Sequence, residues 1–282
     1  FAAGAAAIFA LSACGGGGGT SSAGGMTGTA VVTTGTMTPG SVRANGVHFL
    51  TGATAKIRQE DNGVVVEVQA NAANEDRLLR NGMKVKVKGV ISDNPATSEV
   101  EGEFEKVKPE PEARGLLKNK NAGGRNDDFK VNGRHVIVDD TTVFEDRTVG
   151  VGGGTTFTAI AAPPANRIQN LNENEKVEIH GGLDDVGNIH ATRVERRNDN
   201  PFDEARGTVS GLSGTSFTLN FSGTPAPPPV SVNFPGATVT PAGSSVGNNL
   251  TVEVYGSYDN VTNVFTATRV HIEDLEDIEF EP

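Results

Sequence analysis

Few side chains in this sequence could do chemistry, and they are scattered. Cys14 is the only cysteine in 282 residues. It ends an apolar run of small residues and is followed at once by glycines, "LSACGGGGG" (Leu11–Gly19). A thiolate is a good nucleophile for alkylation. With no second cysteine, an internal disulfide is excluded. There are 5 histidines. His48 and His135 each fall two residues after the glycine of an Asn-Gly pair, in "NGVH" and "NGRH". That recurrence points to a packing or hydrogen-bonding role within a repeated element. No HExxH, paired-cysteine or three-histidine pattern occurs, so no zinc site is expected. "NENE", "DDVGN", "DNVTN" and "NDN" carry oxygen ligands without EF-hand spacing. These residues also build ordinary β turns. No cofactor is therefore expected, with weak calcium binding the one option left open. No G-x-S-x-G elbow and no lysine-bearing phosphate loop occurs. Whether the chain is an enzyme stays open, and the reading favours a non-enzyme.

The repeated arginines need positioning elements. Arg193 and Arg269 lie in two copies of "ATRV", and Arg114 and Arg206 in two copies of "ARG". Alternation with apolar neighbours sends Arg193 and Arg269 outward, where pairing with nearby glutamates would add about 0.2–1 kcal/mol each. A ligand groove lined by these arginines is the sharper alternative. His180 sits in the same outward phase, where the other copies have Lys88 and Tyr255. His48, His135, Arg193 and Arg269 are thus the candidate repeat positions.

The elements themselves are β. "VKVKG" (Val85–Gly89), "VEIHG" (Val177–Gly181) and "VEVYG" (Val252–Gly256) alternate apolar and polar residues and end in glycine. Each is a half-buried strand. The phrases "RNGMK", "LNENEK" and "VGNNL" precede them, and a polar hairpin and a further strand follow. Asn45-Gly46 and Asn132-Gly133 fit type I′ turns. The third copy carries a proline-rich insertion at Pro225–Pro229, expected to be a stiff extended loop. Gly150–Arg167 is expected to be a second long loop. One short helix is expected in "NEDRLLRNG", with Asn74 as its cap and Gly82 as its terminator. "PANRIQNLNENE" is its counterpart in the second copy. The repeat is about 75–95 residues long. A few short strands cannot bury a flat face alone and must curl. The expected fold is all-β: three tandem small antiparallel barrels of the oligonucleotide-binding (OB) type.

Composition agrees. Glycine is high at 36 residues, tryptophan is absent and there are 2 Tyr. The net charge of −11 argues against nucleic acid as a partner. Residues 1–27 carry no charge. The apolar run 1–13 is shorter than the roughly 20 residues a spanning helix needs. It reads as the hydrophobic part of an export signal without its basic start.

Leu11-Ser12-Ala13-Cys14 resembles the bacterial lipobox, cut before the cysteine by lipoprotein signal peptidase. That resemblance implies lipidation of Cys14 and anchorage in a lipid bilayer. Gly15 after the cysteine resembles outer-membrane sorting. The phrases "VNG-x-H", "VEVxG" and "TATRV" resemble a bacterial family of exported β repeats of unknown function. The resulting division is a partial lipoprotein signal peptide over 1–13, a Gly/Ser tether over 14–27, and β repeats over 28–112, 113–204 and 205–282, the last with an acidic end. The expected function is a membrane-anchored envelope lipoprotein whose non-catalytic modules bind or scaffold an envelope protein or glycan. The alternatives are a polysaccharide-acting enzyme, an oligosaccharide-binding protein, or a self-associating surface subunit.

Overall fold

The computed structural model describes residues 29–38, 41–44, 46–61, 64–92, 100–121, 127–149, 155–160, 168, 170–199, 202–224 and 226–273. Cys14 and the expected tether lie outside them, as do residues 150–154, 161–167 and 274–282; within the segment expected to be a second long loop, Thr155–Ala159 form a strand instead. The chain forms two compact units. One runs to Glu110 apart from 61–64, and the other runs from Pro111.

The first unit contains β1 (Thr29–Thr38), β2 (Ser41–Ala44), β3 (Val47–Asp61), β4 (Val64–Gln69), α1 (Ala72–Leu78), β5 (Lys84–Ser92) and β6 (Val100–Pro109). The hydrogen-bonded order β2-β1-β5-β6-β3 closes because β2 also pairs β3. All pairs in that circuit are antiparallel except β3–β6, which is parallel. This is the connectivity of a five-stranded Greek-key barrel of the OB type. Period-two alternation sends Val85 and Val87 inward beside Phe49, Ile57 and Val107, all fully buried. The helix is capped by Asn71, three residues earlier than the sequence suggested. Its side chain accepts from the Asn74 N–H at 3.0 Å. Leu78 and Leu79 at its end are buried.

The second unit repeats the circuit twice. Its first part holds β7 (Ala113–Lys118), β8 (Asp128–Val131), β9 (Arg134–Ile137), β10 (Val143–Val149), β11 (Thr155–Ala159), β12 (Lys176–Leu183) and β13 (Ile189–Arg197). β7 pairs β8 and β12, β8 pairs β9, β12 pairs β13, and β9 and β10 both run parallel to β13. Asn132 and Gly133 have φ of 49° and 76°, the type I′ turn that the Asn-Gly pair foretold. The rest holds β14 (Asp203–Ser213), β15 (Ser216–Asn220), β16 (Val230–Asn233), β17 (Thr238–Thr240), β18 (Thr251–Asp259) and β19 (Val264–Ile272). β16 and β17 take the parallel place beside β19, and β14 pairs both β15 and β18. Each circuit surrounds its own apolar cluster, one around Phe129 and Ile179, the other around Phe265 and Val254. The described part of the proline-rich insertion forms no strand. A short antiparallel pairing of β7 with β14 joins the two circuits.

Two sequence phrases acquire physical reasons. The glycine ending "VKVKG", "VEIHG" and "VEVYG" sits at a β-bulge in every circuit. A Cβ there would lie 2.3 Å from the Glu103 carbonyl oxygen at Gly89, 2.1 Å from that of His190 at Gly181, and 2.0 Å from that of Thr266 at Gly256. Only glycine lets the two strands approach this closely. The phrases "RNGMK", "LNENEK" and "VGNNL" place Gly82, Asn174 and Asn249 at φ of 82°, 70° and 67°. Each donates its N–H to a carbonyl of its circuit's first strand, on Met37, Leu117 and Val209, at 3.0, 2.9 and 2.8 Å. The residue after each accepts from that same strand residue. This clamp seats the fourth barrel strand (β5, β12 or β18) beside the first (β1, β7 or β14).

Gly181→Ala and Gly256→Ala are each expected to cost about 1–3 kcal/mol in chemical denaturation, through forced displacement of the partner strand. Gly182→Ala, where nothing lies within 4 Å of the added carbon, is expected to stay within about 0.5 kcal/mol. Equal effects at Gly181 and Gly182 would contradict the close-approach argument.

Candidate functional site

The functional groups of the second unit gather on the face of its sheet that points away from the two barrel cores. Cross-strand register places Glu145, Glu195, Glu178, Arg114, Glu204, Tyr255 and Arg269 in one row across β10, β13, β12, β7, β14, β18 and β19. Directly opposed residues share a face, so the row is continuous. Three glutamates stand side by side in it, an arrangement that repels unless cations intervene.

The cations come from the same strands: Arg193 and Arg197 stand two residues either side of Glu195, and Arg114 stands in the row itself. Arg193 donates through Nε to Glu195 Oε1 at 2.5 Å and through Nη2 to Glu145 Oε2 at 2.6 Å. Its guanidinium also lies 5.4 Å from the centre of the Phe157 ring. Arg114 donates through Nε to Glu178 Oε2 at 2.8 Å, and its Nη1 lies 3.2 Å from Glu204 Oε2. Arg197 bonds Glu178 and also Asp199. His180 Nε2 lies 3.1 Å from Glu178 Oε1.

These side chains are buried. Arg193, His180 and Glu195 are all 0% exposed. The surface position expected for His180 and Arg193 is therefore wrong. Alternation correctly turned both away from the barrel core, but that face is covered in its turn. The pairing of Arg114 with a cross-strand glutamate is present, at a buried rather than a surface site.

Burial alone would raise the Glu178 pKa, but Arg114 and Arg197 beside it, with the hydrogen bond from His180, hold it well below the ordinary carboxylate value. Burial likewise works against the charge on Arg193, and Glu195 and Glu145 more than restore it.

The other candidates are placed separately. His48 stands on β3 opposite Arg43 of β2 and Glu101 of β6. His135 on β9 has its Nε2 2.8 Å from Asp128 Oδ2, and that aspartate is fully buried. Arg269 is half-buried, with its guanidinium 5.1 Å from the Tyr255 ring centre and its Nε 3.4 Å from Thr240 Oγ1. The structure brings Arg193 and Arg269 to one sheet face of the second unit. Cys14 lies outside the described residues.

At the edge of the network is a cleft of about 230 Å³ lined by Asp146, Arg147, Thr148, Glu175, Lys176, Arg196, Arg197 and Asn198. That is below the usual size of a small-molecule pocket, about 300–1,000 Å³. Its cations are engaged: Arg147 with Asp199, Lys176 with Asp203, and Arg196 with Asp146 and Glu175.

Glu178, Glu195, Glu204 and Arg197 were not singled out from the sequence. The usable signal was recurrence: Glu178 and Glu253 hold the same place in their copies, as do Arg114 and Arg206.

A carboxylate whose pKa is depressed on folding adds stability above its unfolded value and loses it as pH falls through the folded value. Glu178 should therefore contribute fully at neutral pH and cease to do so well below pH 4.5. Glu178→Gln is expected to cost about 3–5 kcal/mol at pH 7, because buried guanidiniums lose their partner. It should also flatten the acid side of a plot of melting temperature against pH. An unchanged acid limb would remove Glu178 from the acid response.

Residues 120–195 match DUF5666, a domain of unknown function. The match spans β8 to most of β13, and so includes Glu178, His180, Arg193 and Glu195. No curated protein and no solved structure matches the chain.

Proposed function

We propose that this chain is a non-catalytic envelope lipoprotein, anchored by acylation of Cys14, whose barrels serve as a binding or scaffolding platform in the bacterial cell envelope. The observation that carries the platform reading is the buried charge row. It spends Glu178, Glu195, Glu204, Arg114 and Arg193 on one another across both barrels of the second unit. Side chains committed in this way stiffen a body. Catalytic groups must instead meet a substrate. The platform's partners are an envelope protein or glycan reached through the turns at the barrel ends.

The anchor reading is supported by sequence. The apolar run before Cys14 and the small residues Ser12 and Ala13 suit a narrow protease site, and the glycines from Gly15 give reach. Several acyl chains hold where one would be marginal. The location follows as the outer membrane.

Mass spectrometry of the native protein tests this. A mature chain starting at Cys14 and carrying diacylglyceryl and acyl masses is the expected result, and Cys14→Ala should move the protein from the membrane to the soluble fraction. A mature chain with an unmodified Cys14 would overturn the anchor.

A further inference from the structure

The row of buried charges leaves one group with unused capacity. Glu178, His180 and Glu195 each offer a ligand atom within 4.8 Å of the other two. Their side chains are 7%, 0% and 0% exposed. His180 Nδ1 and Glu195 Oε2 are buried and make no hydrogen bond. Buried polar atoms in native proteins are normally satisfied, and one that is not asks for a water or an ion.

The arginines do not close this site to a cation. Arg114 also holds Glu204 at 3.2 Å, Arg193 also holds Glu145 at 2.6 Å, and Arg197 also holds Asp199 at 2.7 Å. Each guanidinium thus keeps a carboxylate when Glu178 and Glu195 turn lone pairs elsewhere.

We propose that Glu178, His180 and Glu195 bind one divalent transition-metal ion of the zinc class. One imidazole nitrogen and two carboxylate oxygens are a donor set for such ions. A bidentate carboxylate or a water completes the shell. The ion is structural: it links β12 to β13 where two glutamates oppose each other. The donors lie 2 and 15 residues apart, so no local motif announces them. The last barrel gathers the same donor types from β18 and the end of β19, as Glu253, His271 and Glu273 within 4.8 Å. There the His271 Nδ1 lies 2.8 Å from Thr240 Oγ1, the kind of outer contact that orients a ligating imidazole.

The test uses the mature full-length chain, stripped with a chelator and titrated with zinc. Metal content after gel filtration and thermal melts are the readouts. Wild type is expected to keep zinc and to melt about 5 °C or more higher at a hundredfold excess over Kd. Glu195→Gln and His180→Gln are each expected to lose one equivalent relative to wild type, while His190→Gln, at an exposed turn, loses none. Unchanged stoichiometry in the folded Glu195 and His180 variants would overturn the proposal, as would a wild type that retains no zinc. Should the variants not fold, anomalous diffraction at the zinc edge from wild-type crystals decides. A peak about 2.0–2.2 Å from the three donors supports the site, and its absence there overturns it.

Discussion

Closing a sheet of five strands demands more coiling than ordinary strand twist supplies, and in this protein the extra curvature is concentrated where a side chain is forbidden. Gly89, Gly181 and Gly256 let the fourth barrel strand bulge against the fifth, with a partner carbonyl oxygen 2.0–2.3 Å from the missing Cβ. Gly35, Gly115 and Gly207 permit a second close approach, from the first strand and without a bulge, to the second strand or, for Gly115, to the turn that follows it. There the missing carbon would lie 2.3 Å from the Arg43 carbonyl, 2.2 Å from Asn132 Oδ1 and 2.5 Å from the Asn220 carbonyl. With both approaches made, the first strand can pair the second along one edge and the fourth along the other. The last strand is then left to meet the third in parallel.

The same closure explains why charge is buried outside the cores. A strand such as "VEIH" sends Val177 and Ile179 into the barrel and Glu178 and His180 away from it. Had the outward face met water, Glu178 and Arg114 would form an ordinary surface pair of small worth. Their burial changes the balance. Desolvation is costly for each ion, so the arrangement holds only because every carboxylate has a guanidinium and each guanidinium a second carboxylate. Arg114 is the most informative case. Its two partners lie on β12 and β14, so one residue serves both the closure of one barrel and its junction with the next.

The barrels, the Asn132-Gly133 turn and the repeat phrases were legible because they rest on local chemistry: period-two alternation, glycine and positive φ. The parallel pairing of β3 with β6 was not, since it depends on a connection through β4, α1 and β5. The Asn71 cap was missed because Asn71 and Asn74 are equally good candidates by type, and only the backbone decides between them. His180 and Arg193 were misjudged for a deeper reason. Alternation separates two faces of a strand but does not say whether the second face is wet. The row Glu145–Glu195–Glu178–Arg114 crosses residues from 114 to 195, and register alone assembles it.

Comparison of the copies shows how far one scaffold tolerates different polar chemistry on that outer face. The position of Glu178 is Lys86 in the first circuit and Glu253 in the last, and that of Glu195 is Lys108 and His271. The opposed pair is therefore Lys–Lys, Glu–Glu or Glu–His on an unchanged backbone. Like charges face each other in two of the three cases, so the pair cannot have been set by mutual attraction. It is set by what each face must neutralise: Arg114, Arg193 and Arg197 around Glu178 and Glu195, and Arg206 bonded to Glu273 beside His271. The barrel fixes where a charge stands, and the neighbouring strands fix which sign it takes. A module with that property can change its outer-face chemistry without changing its fold.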